Sequence, residues 1–139
     1  MTLKNDRFTL HDTSGFPLVR FHNERASAGY ALQWQHEMEA LLAHGAPFVI
    51  LTVAPHGEET QDDRKSRGIW LKHHRQALSQ LCLGLASVEP DAVKLAALRQ
   101  MAQGATRAFG VQQFVTATEA EAIEALSRVL RRHDEAAHD

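Results

Sequence analysis

Two stretches constrain this chain more than anything else in it. Phe48-Val49-Ile50-Leu51-Thr52-Val53 and Leu81-Cys82-Leu83-Gly84-Leu85-Ala86-Ser87-Val88 are almost unbroken apolar runs, too short for helices. A strand with one wet face alternates apolar with polar side chains; these two do not, so both faces of each are expected to be buried. Inner strands of that kind need helical layers to cover them, which makes the expected fold α/β. Phe48–Val53 is read as the central strand, and Gly84 as a point of close approach by a neighbouring backbone.

The remaining segments supply the layers. Phe8-Thr9-Leu10-His11 and Phe16–His22, separated by Asp12-Thr13-Ser14-Gly15, predict an antiparallel hairpin. From Ser27, read as an N-cap, apolar residues recur at Tyr30, Trp34, Met38, Leu41 and Leu42 at helical spacing, until Gly45 and Pro47 stop them. A second helix follows Pro55-His56-Gly57, with acids Glu58, Glu59, Asp62 and Asp63 ahead of bases Arg64, Lys65, Arg67, Lys72 and Arg75, the order a helix macrodipole favours. Its expected inward stripe is Ile69, Trp70, His73, Ala77 and Leu78. A third helix, from about Asp91 to Gly104, is expected to turn Val93, Leu95, Leu98 and Met101 inward. Gln112–Thr116 reads as the last strand. Thr118-Glu119-Ala120-Glu121 matches a capping box and opens a last helix that packs Ile123, Leu126, Val129 and Leu130. The order is β-β-α-β-α-β-α-β-α, a small mixed, mostly parallel sheet with an N-terminal hairpin and helices packed on it.

At 139 residues the chain reads as a single domain, residues 1–139, with a core of about 8–132 and a polar, frayed tail over 133–139. A formal charge of -2 provides no field for nucleic acid or an anionic membrane. Cys82 is the sole cysteine, Met1–Arg7 lack the apolar stretch of a signal peptide, and no run approaches the ~20 residues of a membrane helix. These features predict a cytoplasmic protein with no transmembrane segment. Nine histidines are the one compositional oddity.

Ile69-Trp70-Leu71-Lys72-His73-His74-Arg75, Cys82–Val88 and Phe114-Val115-Thr116-Ala117-Thr118-Glu119-Ala120, in this element order, resemble the SpoIIAA-like branch of the STAS/SEC14-related bacterial domains over roughly Phe16 to Leu130. The resemblance implies a regulatory or ligand-binding module rather than an enzyme, with a site near the loop after the central strand. STAS anti-anti-sigma factors carry a phosphorylatable serine in an Asp-Ser motif there. This chain has Gly57–Asp63 at the matching place, with no Asp-Ser and only Thr60 offering a hydroxyl, beside four carboxylates that would repel a phosphate.

Ligands of open α/β sheets bind outside the carboxyl ends of parallel strands. The loops there supply His56, Glu58, Glu59, Thr60, Glu89, Asp91 and Thr118, of which His56, Glu58, Thr60, Glu89, Asp91 and Thr118 form the candidate ligand site. Imidazole titrates near neutrality and carboxylates are hard donors, so a proton acceptor or a divalent metal is the chemistry such a loop suggests. Against this stands a solvated loop at an acid-rich helix start. Tyr30, Trp34 and Trp70 are candidate partner-binding aromatics if exposed, and core residues if not. His73 reads as a core histidine, His74 as a ring packed on Trp70, and Cys82 as an inert buried thiol. Gly104-Ala105-Thr106-Arg107 suggests an anion-binding loop or simply a loop. No G-x-S-x-G, P-loop or G-x-G-x-x-G is present.

The leading expectation is a non-enzymatic accessory or regulatory module, free of cofactor, that binds a protein partner or second copy, or a small ligand, apolar ones included. One alternative is a small metal- or haem-dependent enzyme using dispersed histidines, with His56 and its adjacent acids, or His73, as the pieces. Another is a partner switch that responds to phosphorylation.

Overall fold

The computed structural model describes residues 8–53 and 59–138. His11–Asp12 (β1) pairs antiparallel with Leu18–Phe21 (β2), which runs parallel to Phe48–Val53 (β3), then to Cys82–Val88 (β4) and Gln113–Thr116 (β5). The sheet order is β1-β2-β3-β4-β5, so β3 and β4 are inner strands, as their unbroken apolar character requires. Successive parallel neighbours joined by right-handed crossovers place their connecting helices on one face. Those helices are Ala31–His44 (α1), Gln61–His73 (α2), Arg75–Leu81 (α3) and Ala92–Phe109 (α4). Glu119–His138 (α5) covers the opposite face alone.

Alternation along β3 divides the core. Phe48 and Ile50 join Val19, Trp34, Met38, Leu41, Trp70 and Leu78 beneath α1 to α3. Val49 and Leu51 turn the other way, against Ala86, Ala122 and Leu126. Gly84 permits this second face to close. A Cβ there would lie 3.3 Å from Leu126 Cδ2 and 3.4 Å from Phe114 Cε2, so the approach comes mainly from side chains rather than backbone.

Several local expectations change. The first strand is only two residues long, because the backbone N–H groups of Thr9, Leu10 and His11 bond the Glu37 carboxylate, at 2.8–3.1 Å, instead of extending a ladder. Ser27 does not cap α1; Tyr30 holds the N-cap position without a side-chain bond, and Asp63 accepts from Gly29 N and Ala31 N. The helix expected between β3 and β4 breaks at His74 into α2 and α3. The break turns the predicted stripe: Trp70 and Leu78 are buried, but Ile69 and His73 face solvent. His74 stacks on Trp70 as expected, with ring centroids 4.0 Å apart.

α4 departs most. It runs through Gly104 to a left-handed Gly110 cap, so Gly104-Ala105-Thr106-Arg107 is helical and forms no anion loop. None of its residues is buried; Val93 and Met101, expected inward, are 80% and 70% exposed, and Leu95 and Leu98 only half-buried. At the other end, α5 opens on Thr118, whose hydroxyl accepts from Glu121 N, and remains helical to His138 rather than fraying after Arg132. No helix among the described residues is long and apolar enough to cross a membrane.

Candidate functional site

Between the sheet and helices α2 to α4 lies a cleft of about 680 Å³. Small-molecule sites are commonly of this size, ~300–1,000 Å³, and are mostly apolar with a few convergent polar groups. Its apolar length runs from Leu78, Cys82 and Val111 past Ile50 and Leu85 to Thr52, Ser87 and Val115 toward the carboxyl ends of the strands. Leu98, Met101, Ala102, Ala105 and Phe109 of α4 form its outer wall. The absence of buried residues on α4 follows from this: the helix lies along the edge strand β5, to which Arg99 and Thr106 bond, and walls a hollow instead of closing on the rest of the sheet face.

The polar groups gather where α2 begins, with Asn23, His11, Glu59, Arg64 and Arg67 on the lining. Arg64 and Arg67 are three residues apart, which puts them on one helical face. Arg67 Nη1 donates to Tyr30 Oη at 2.9 Å and to the Glu59 carboxylate, while Arg64 Nε reaches Glu59 at 3.2 Å. Tyr30 also donates to Glu59. The Arg67 guanidinium lies over Trp34, 5.2 Å from the ring centroid, and 6.0 Å from that of Tyr30, which fixes its plane. Burial pushes the Glu59 carboxyl up, but the Tyr30 bond and the Arg67 charge outweigh it and hold the group below its ordinary value. Burial and the Glu59 bond lift the Tyr30 phenol to about 12.

His11 forms a second polar feature. It is 2% exposed, its Nδ1 lies 2.9 Å from Glu37 Oε1, and its ring packs on Phe21 at 5.0 Å. Glu37 is 1% exposed and also accepts from Gln33 Nε2 at 2.7 Å. Burial raises its carboxyl, yet the bonds from His11, Gln33 and the backbone N–H groups bring it down to about 2. The carboxylate ties β1 to α1, and His11 carries that tie to the cleft wall.

The residues singled out from sequence lie mostly elsewhere. His56 and Glu58 fall outside the described residues. Thr60 is the N-cap of α2, its hydroxyl accepting from Asp63 N at 3.0 Å and donating to Asp63 Oδ2. Asp91 caps α4 through Lys94 N at 2.9 Å, Thr118 caps α5, and Glu89 Oε2 accepts from Asp91 N. These four organise helix starts and do not line the cleft; of the loop residues considered, Glu59 does. Tyr30, Trp34 and Trp70 are each 5–7% exposed, so they are core, with Trp34 and Trp70 edge to face at 5.2 Å. Trp34 nevertheless reaches the cleft. His73 is exposed, and no three or more His, Cys, Asp or Glu among the described residues gather as a metal could use. Cys82 lines the cleft, its thiol pushed up to about 12 by burial, in keeping with an inert role.

Arg64 and Arg67 read from the sequence only as bases that suit the helix macrodipole, and not as site residues; their three-residue spacing beside a strand's carboxyl end is the available signal. The His11–Glu37 pair, 26 residues apart, left none. Family models, curated proteins and solved structures yield no match to this chain, so the cleft geometry is the ground for a functional reading.

Proposed function

We propose that this chain is a non-enzymatic, cytoplasmic accessory or regulatory module of SpoIIAA-like, STAS/SEC14-related type, and that it takes a small ligand with an apolar body into the cleft under α4. One observation carries the reading. An 18-residue helix buries no side chain of its own and walls a hollow of about 680 Å³ whose other walls are mostly apolar, with polar groups gathered at the start of α2. Apolar side chains facing an unfilled space forgo dispersion contacts, and an apolar ligand restores them. The strand order and the position of the polar end, at the carboxyl side of β3, are what support the family part of the reading. A protein partner or second copy then receives the signal of occupancy.

Titration with a neutral solvatochromic dye such as Nile red tests this. Saturable binding at one dye per chain, with quenching of Trp34 fluorescence, is expected. Ala102→Leu, which fills the cleft from α4, should weaken it about tenfold or more, the effect of ~1.4 kcal/mol. Dye binding that never saturates, or that ignores this substitution, would remove the reading.

A further inference from the structure

We propose, building on the ligand-cleft reading above, that the cleft selects an amphiphilic monocarboxylate, with Arg67 as its head-group residue and Glu59 holding that position while the cleft is empty.

The first argument is charge. Among the described residues on the lining, Arg64 and Arg67 face a single carboxylate, Glu59, although the whole chain carries -2. Two guanidiniums and one carboxylate leave one positive charge over. One further monoanion turns the cluster into two neutral pairs, whereas a neutral head group leaves the excess and a cationic one adds to it.

The second argument is an unsatisfied atom. Arg67 Nε is shielded from solvent and is the one buried side-chain nitrogen or oxygen among the described residues without a hydrogen-bond partner. Such groups are rare and costly, and a missing ligand is one of their standard explanations. Glu59 and Tyr30 both engage Nη1, on the other side of the guanidinium plane's fork. A carboxylate with one oxygen on Nε and the second on the neighbouring Nη2 satisfies that atom by bidentate geometry, and because no water-sized group reaches Nε in the structure as it stands, Arg67 turns that edge toward the cleft as the ligand enters. Trp34 and Tyr30 hold the plane of the guanidinium, so this turn is made within the plane and costs little conformational freedom. Glu59 then moves toward Arg64, to which it is already bonded, and two separate ion pairs result.

The third argument is placement. The polar cluster closes one end of an apolar channel, so a head group seated on Arg67 directs its hydrocarbon toward Ile50, Leu85 and Leu98. That arrangement fits a molecule with one anionic end and an apolar remainder.

The test uses three probes that share a twelve-carbon chain: dodecanoate, dodecan-1-ol and dodecyltrimethylammonium, each below its micellar concentration at neutral pH, with binding followed by displacement of Nile red and by calorimetry. Dodecanoate is expected to bind about tenfold tighter than the alcohol, corresponding to ~1.4 kcal/mol, with the ammonium weakest. Arg67→Met should bring dodecanoate to the level of the alcohol, so that the ratio of the two affinities falls from about ten to about one. Glu59→Gln, which frees Arg67 without touching the apolar walls, should strengthen dodecanoate several-fold, and it carries the test if Arg67→Met fails to fold. Equal affinity of acid and alcohol, or a preference that Glu59→Gln leaves unaltered, overturns this proposal and leaves the apolar cleft standing. Failure of all three probes and of the dye overturns both.

Discussion

On one face of the sheet a single helix, α5, lays Ala122 and Leu126 against Val49, Leu51 and Ala86, and all five side chains are buried. On the other face four helices share the covering, and the last of them buries none of its eighteen residues. The same strands support both faces, since alternate residues of β3 serve each in turn. The difference shows where stability and binding reside in this small domain: the α5 face is filled to the point that Gly84 cannot readily accept a methyl group, while the α4 side keeps a hollow with polar groups at one end.

The largest effect expected from breaking this contrast is at Leu126. It is fully buried on the tight face, and its removal leaves a cavity that Gly84 and Ala86 cannot fill. Leu126→Ala should cost about 3 kcal/mol, within the ~2–5 kcal/mol range of such truncations, as read by urea denaturation. A cost near zero would mean that α5 is loosely docked and that the two faces are alike.

Next is the polar tie at the β1 end of the α4-side face. Glu37 bonds His11, Gln33 and three successive backbone N–H groups, so Glu37→Gln, which turns an acceptor into a donor toward them, should cost roughly 2 kcal/mol. The same carboxylate predicts an acid limb. Its folded value of about 2 lies below the ordinary 4.5, so its contribution is complete above about 4.5 and is lost as pH falls toward 2. Melting temperature against pH should therefore drop over that interval in the parent, and less in Glu37→Gln. An identical drop in both proteins would assign acid sensitivity to other groups, Asp63 first among them, because burial raises its carboxyl but bonds from Gly29, Ala31 and Thr60 lower it further.

The parts of this contrast that local sequence specifies were legible in it. Doubly buried strands announce themselves by lack of alternation, and β3 and β4 lie where Phe48–Val53 and Leu81–Val88 predicted, apart from Leu81, which ends α3. The Thr118 cap and the inward positions of Ile123 and Leu126 followed from motif and spacing. What periodicity could not show is whether an apolar stripe meets a partner. Val93, Leu98 and Met101 have the spacing of a packed helix, yet they face a hollow or solvent, because β5 is an edge strand and leaves α4 little sheet to cover. The site was misplaced for a related reason. Thr60, Glu89, Asp91 and Thr118 do stand at strand ends, but three of them cap helices and Glu89 accepts from the Asp91 backbone, whereas Arg67 is brought to the cleft by the packing of Trp34 and Tyr30 on its guanidinium, a contact between distant segments.

A matched pair of substitutions sharpens the comparison at smaller cost. Ala122 and Ala102 are both helical alanines, one on α5 and fully buried against the sheet, the other on α4 and half-buried on the cleft wall. Ala122→Leu overfills a closed interface and should destabilise by about 1–3 kcal/mol. Ala102→Leu enters open space and should change stability by less than ~0.5 kcal/mol while it weakens dye binding. Equal costs at the two positions would show that the cleft closes in solution.

The smallest expected effect is at Met101, and its smallness is the informative part. Met101 both borders the cleft and is 70% exposed, which places it on the rim rather than in a core. Met101→Gln keeps the length and helix propensity of the side chain and removes only its apolar character. Stability should shift by no more than ~0.5 kcal/mol, because little of the side chain leaves water on folding. Affinity for an apolar probe should nevertheless fall measurably, since a bound ligand would cover the part of Met101 that water now touches. A loss of stability above ~1 kcal/mol with unchanged probe affinity would reverse both expectations, making α4 an ordinary packed helix whose inward face had been read as a wall.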